Sequence, residues 1–116
     1  MILTDMIVLK VKDFSVAPGV RTPDEGNFSG QEYREKFLEP NLQRAILNKE
    51  KLQVILDGTL GYATSFLEEV FGGIVRTFGY EKVKEYLEVI SNQRPFYIED
   101  IKEYMEDAKN KKSSSK

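Results

Sequence analysis

The residues that could do chemistry gather around one stretch, Asp57-Gly-Thr-Leu-Gly-Tyr-Ala-Thr-Ser65. An acid closes an apolar run, Gly58, Gly61 and Tyr62 shape a loop, and Thr64 and Ser65 bring two hydroxyls to the start of a second apolar segment. Arg21, upstream, has the planar fork that grips a phosphate or carboxylate, although it can equally tie its own loop to Asp57 or Glu25. The chain contains no His and no Cys, which removes imidazole bases, thiolate nucleophiles and the usual zinc ligands together. A small hydrolase or transferase built on Asp57, Ser65 and Arg21 would need a Lys or a carboxylate as its base, so this reading is the alternative, not the first choice. The plainer reading of each group is structural. Ser65 with Glu68 three residues on forms a capping box, an acid after a strand caps the neighbouring loop, and Glu68 and Glu69 belong to a solvated helix face. No catalytic residue, metal site or cofactor is expected. Gly26, Gly30, Gly58 and Gly61 follow no Walker or dinucleotide pattern.

These groups need elements to hold them. Met6 to Val11 is rich in β-branched residues with Ile7, Leu9 and Val11 on one face, which predicts a strand. The stretch from Lys12 to about Ser29 is dense in Pro, Gly, Asp, Asn and Ser and reads as a long loop. Loops of that length are often functional, which singles out Arg21, Glu25 and Gly26. Ser29 with Glu32 predicts a helix start near Gly30, and Pro40 then requires a kink or a second short helix. Leu52 to Asp57 predicts a buried central strand and, with the preceding helix, a parallel crossover. From Phe66, the residues Leu67, Val70, Phe71, Ile74 and Val75 form a helical stripe that faces the sheet. Gly72 falls on the opposite side with Glu68 and Arg76, and Gly73 at the stripe's edge. An interior glycine costs about 1 kcal/mol relative to Ala, so the pair points to close approach by another backbone. A turn or short helix at 79–84, a third strand at Tyr86 to Ile90 and a last helix bearing Ile98, Ile101, Tyr104, Met105 and Ala108 complete the pattern.

The whole is 116 residues, 41% hydrophobic and 31% charged, which is one globular domain. Strands alternating with helices predict an α/β fold with a mixed or mostly parallel sheet. Residues 1–108 make the domain, and 109–116 read as a polar, disordered tail that includes the basic cluster Lys109 to Lys112. The formal net charge of -2 gives no general attraction to nucleic acid. No apolar run approaches the ~20 residues of a membrane span, and Met1-Ile-Leu lacks the pattern of a secretory signal, so a cytoplasmic location without membrane contact is expected. The oligomeric state is left open.

Two stretches, "APGVRTPDEGNFSGQEYREKFLEPNL" and "VILDGTLGYATSFLEEVFGGIVR", resemble the bacterial STAS-like domain family of unassigned function, through P-G-x-R, E-G-x-x-S-G and D-G-x-x-G-Y-x-x-S-F-L-E-E-x-F-G-G. The resemblance implies a relative of the anti-sigma-factor antagonists, with a helix-backed mixed sheet. In the phosphorylated members of that wider group, a kinase of the histidine-kinase-like ATPase type modifies a Ser or Thr at the head of the helix after a central strand. Here the matching residues are Ser65 and Thr64, although the usual Asp-Ser-Ser/Thr-Gly run is replaced by Ala63-Thr64-Ser65-Phe66. The implied function is regulatory docking of a protein partner, plausibly such an ATPase. The expected contact residues are Arg21, Asp57, Gly58, Gly61, Tyr62, Glu68, Gly72 and Arg76.

Overall fold

The computed structural model describes residues 6–114. The chain runs through strand β1 (Met6–Lys10), a short 3-10 turn (Val11–Asp13) and a long loop into helix α1. That helix joins an α-helical start (Gly30–Tyr33), a π-helical segment (Arg34–Leu38) and an α-helical end (Glu39–Asn48). Strand β2 (Lys51–Ile55) leads to helix α2, again α (Thr64–Leu67), π (Glu68–Gly72) and α (Gly73–Phe78). Helix α3 (Tyr80–Tyr86), strand β3 (Leu87–Ile90) and helix α4 (Phe96–Ser114) follow.

The three strands form one sheet in the order β1-β2-β3, parallel throughout. The two crossovers step in the same direction across it, and right-handed crossovers of that kind place their helices on one face. Burial follows. Leu52, Val54 and Leu56 are buried under the helices with Phe66, Val70, Phe71, Ile74 and Val75, and Ile7, Leu9 and Val89 pack against this core. On the other face Met6, Val8, Lys10 and Glu88 are exposed, and Gln53 reaches across to Glu88. Helix α4 packs on α2 and α3, with Ile101 and Ala108 buried at its seam.

The long loop supplies its own order. Gly19 donates to the carbonyl of Phe28, while the carbonyls of Val20 and Arg21 accept from Gly30 and Gln31, two of the N–H groups that a helix start leaves unpaired. Ser29 is fully buried as the N-cap of α1, accepting from the Glu32 amide at 3.1 Å. Pro40 neither breaks nor restarts the helix. It cannot donate to the preceding turn, and the turn just before it widens to π geometry, with the Glu39 amide bonded to the Arg34 carbonyl.

Two boundaries differ from the expected ones. Val11 leaves the strand for the 3-10 turn, although its side chain stays buried. Helix α4 continues to Ser114, through most of the segment read as a tail, aided by Lys109, whose Nζ lies 4.5 Å from the centre of the Tyr80 ring. Met1 to Asp5 and the last two tail residues lie outside the described residues.

Candidate functional site

At the carboxyl end of a parallel sheet the connections leave the strands together, and here they are bonded into one surface. Asp57 accepts from the amides of Asn92 (3.2 Å) and Gln93 (2.9 Å), and Gln93 returns a bond from its side-chain oxygen to the Gly58 amide at 2.8 Å. Arg94 reaches the Thr59 carbonyl, the Leu60 amide donates to the Val16 carbonyl at 2.7 Å, and the Tyr62 amide donates to the Tyr97 hydroxyl at 3.0 Å. The Tyr62 hydroxyl in turn donates to the Leu56 carbonyl at 2.7 Å. Burial pushes this phenol up to about 12, and the neighbouring Thr59 hydroxyl opposes the rise. Gly58 and Gly61 sit at φ +94° and +140°, where an L side chain is strained, so both glycines are required by the loop's path.

On these joined connections three apolar side chains face solvent: Val16, Leu60 and Phe96 are 55%, 78% and 58% exposed. Thr64 is exposed beside them and Ser65 half-buried. Helix α2 begins at Thr64 with Ala63 as its N-cap and no side-chain cap. The capping box expected at Ser65 and Glu68 is therefore absent, because the chain enters the helix two residues early and Ser65 already lies in the first turn. Neither the Thr64 nor the Ser65 hydroxyl has a hydrogen bond among the described residues.

Behind the loops, α1, α2 and the long loop are tied by alternating charges. Glu68 accepts from Arg21 at 2.6 Å and from Arg76 at 2.8 Å. Glu69 accepts from Arg21 at 3.2 Å and from Arg34 at 2.7 Å, and Arg34 also pairs with Glu39. The Arg34 Nε donates at 3.2 Å to the backbone carbonyl of Glu69, inside the π-helical segment of α2. Burial works against the ionised form of Glu68, but Arg76 and Arg21 outweigh it and hold the carboxyl below its ordinary value. The Arg21 guanidinium is raised, chiefly by its bond to Glu68.

The description of the STAS-like domain of unknown function (DUF4325) matches residues 29–95, over half of the chain. The chain belongs to that family. No curated protein and no solved structure matches it. The matched span of this STAS-like domain covers Ser29, Gly30 and the whole of Asp57 to Arg76, whereas Pro18 to Gly26 lie ahead of it.

Measured against the expected contact residues, Gly58, Gly61 and Tyr62 share the loop surface with Thr64 and Ser65. Asp57 stands under that surface, both carboxylate oxygens engaged in capping, as the plainer reading of it had it. Arg21 is tied to Glu68 and Glu69, not to Asp57 or Glu25. Two expectations are corrected. Glu68 and Glu69 do not lie on a solvated face; their side chains are 22% and 13% exposed within the ion network. Gly72 is buried, because α2 is flanked by both α1 and α4 and its middle has no outward side. What approaches the paired glycines is also not backbone. A Cβ at Gly72 would meet the Glu68 carboxylate, and one at Gly73 would meet Arg34.

Val16, Leu60, Phe96 and Tyr97 were not singled out in advance. For Leu60 a signal existed, since a large aliphatic residue between two loop glycines has no periodic pattern to bury it. Phe96 and Val16 gave none, because their exposure depends on how the loops meet. Among the described residues no group of three or more Asp or Glu is placed to hold a metal ion, and no helix is long and apolar enough to cross a membrane.

Proposed function

We propose that this STAS-like domain is a non-enzymatic docking module, meeting a protein partner with the connections at the carboxyl end of its sheet. The observation that carries the reading is the exposure of Val16, Leu60 and Phe96 on loops held by mutual hydrogen bonds. Apolar side chains on a preorganised surface gain contact area without an ordering cost, as binding anchors do. The groups that a hydrolase would draw on weigh the other way: Asp57 is engaged by two backbone amides and Arg21 by two carboxylates.

The partner class follows from the family's resemblance to anti-sigma-factor antagonists and is a histidine-kinase-like ATPase. Ser65 is the phosphoacceptor, or failing it Thr64. A phosphate there adds about -1.5 to -2 charges at the start of α2, where free amides and the helix dipole receive it. Glu68 and Glu69 lie one turn on, but their charges are matched by Arg21, Arg34 and Arg76. Docking changes while the fold stays intact.

Incubating the purified domain with the ATPase from its own cell and ATP, followed by mass spectrometry, tests the modification. Calorimetric titration of that ATPase with the native domain, Leu60→Glu and Ser65→Glu tests the surface. Loss of affinity in Leu60→Glu with unchanged circular dichroism supports docking here. Equal affinity in all three would remove the reading, and an unmodified Ser65 and Thr64 would remove the switch alone.

A further inference from the structure

Strand β1 is an edge, paired only with β2 among the described residues. Its residues, Met6-Ile-Val-Leu-Lys10, include four apolar ones and neither a proline nor a bulge, and the single charge stands at its end. Proteins normally blunt a bare edge with charge, proline or a covering element, because alternate residues turn their N–H and C=O groups outward and template another strand. The opposite edge, β3, has such protection in Glu88 at its second position. Edge β1 has none at its centre, where Val8 is 45% exposed.

The surface beside β1 is also unfinished. A cavity of about 220 Å³ opens along the strand, lined by Val8, Leu9, Lys10, Phe14, Tyr33 and Phe37. Its aromatic wall is preformed: Phe14 meets Tyr33 at 5.1 Å and Phe37 at 5.6 Å between ring centres, and Phe37 stacks on Tyr33. Phe37 and Phe28, which lies edge-on to Phe14 at 5.3 Å, remain exposed.

We infer that a second copy of this chain covers this edge, its β1 antiparallel to the first and centred on Val8, so that two three-stranded sheets join as one. The strand is suited to pair with itself. About a two-fold axis at Val8, Ile7 of one copy falls opposite Leu9 of the other on the helix-covered face, beside the aromatic cavity, and fills it. Each copy fills the other's cavity in this way. Lys10 falls opposite Met6, whose flexible thioether accommodates the lysine stem, and the two lysines stand at opposite ends of the seam. Like charges directly across a strand pair destabilise it, and this register has none. A partner peptide would need only one such cavity. The reciprocal fit of Ile7 and Leu9 in one short strand favours a second copy. The seam is separate from the loop surface proposed for docking, so either proposal can fail without the other.

The test is the mass of the full chain in solution, by light scattering and sedimentation over a dilution series. The native chain should have twice the mass of one copy, and Val8→Lys, which sets two ammonium groups face to face at the axis, should have half of that with an unchanged far-ultraviolet spectrum. Because the chain has no cysteine, Val8→Cys gives an independent reading. Cross-strand Cα atoms lie within disulfide reach, so mild oxidation should link the copies, whereas Leu47→Cys, 74% exposed on α1, should stay unlinked. A monomeric native chain overturns the inference, as would a Val8→Lys dimer or a Val8→Cys chain that cross-links no faster than Leu47→Cys. In the first case the edge is covered by something other than this chain.

Discussion

Gly73 and Arg34 compete for one volume. The guanidinium lies where a Cβ at Gly73 would stand, and it is held there by the Glu69 carbonyl and carboxylate and by Glu39. Gly73→Ala should therefore destabilise the domain by about 1–3 kcal/mol, the cost of displacing charged hydrogen bonds, despite the ~1 kcal/mol that helix propensity returns. Gly72→Ala meets only the flexible end of Glu68 and should be close to neutral. Urea unfolding of the two variants checks the contrast. Glu68 also predicts a pH dependence. Its carboxyl is held below its ordinary value in the fold, so its contribution is fully present above the unfolded value and is lost as pH falls through the folded one. Stability of the native chain should decline more steeply on acidification than that of Glu68→Gln, as denaturant midpoints across the acid range would show. The sequence signalled that something lay over the glycines, because interior glycines are costly. It did not signal Arg34, which approaches from another helix.

Two Ser-x-x-Glu patterns occur, at Ser29 and at Ser65, and only the first is a cap. Ser29→Ala should cost about 1–2 kcal/mol, since its buried oxygen receives the Glu32 amide. Ser65→Ala should leave stability within a few tenths of that scale's lower end, because Ala63 already occupies the cap position. Thermal melts of the two variants separate the roles. The difference was not legible locally: where a helix starts depends on the path of the preceding loop, and residues 57–63 are drawn toward β3 and α4 by Asp57 and Tyr97. Periodicity did locate α2, α4 and all three strands, because each buries one face and periodicity reports faces. It missed the π-helical turns, since a stripe wide enough to cover a five-residue turn reads the same as an α-helical one. Pro40 was the only cue.

For the whole molecule, the α/β class and the parallel crossover were readable from the alternation of strand and helix patterns, whereas the bare edge at β1 and the meeting of Val16, Leu60 and Phe96 came only with the topology. Leu60→Glu should leave the melting temperature within about 2–4 °C of the native value, since the side chain is exposed and surface changes of this kind seldom exceed ~0.5 kcal/mol. Alkali should act on the interior instead. Tyr62 is pushed up to about 12, so the fold gains from the neutral phenol below its ordinary value of 10.0 and loses that gain as pH rises toward 12. Tyrosinate absorbance should show late ionisation of Tyr62 and the deeply buried Tyr33, coincident with loss of helical signal. The π-helical segments set a further condition, on how the chain tolerates changes of length. A π turn contains one residue more than an α turn, so deleting any residue from Glu68 to Gly72 would restore an ordinary helix and swing everything beyond it by about 100°. Ile74 and Val75 would leave the core, and the Glu69 carbonyl would lose its place under Arg34. Single-residue deletions should therefore be harmless at 23–27 in the exposed part of the long loop and ruinous within this segment, although both consist largely of charged and small residues.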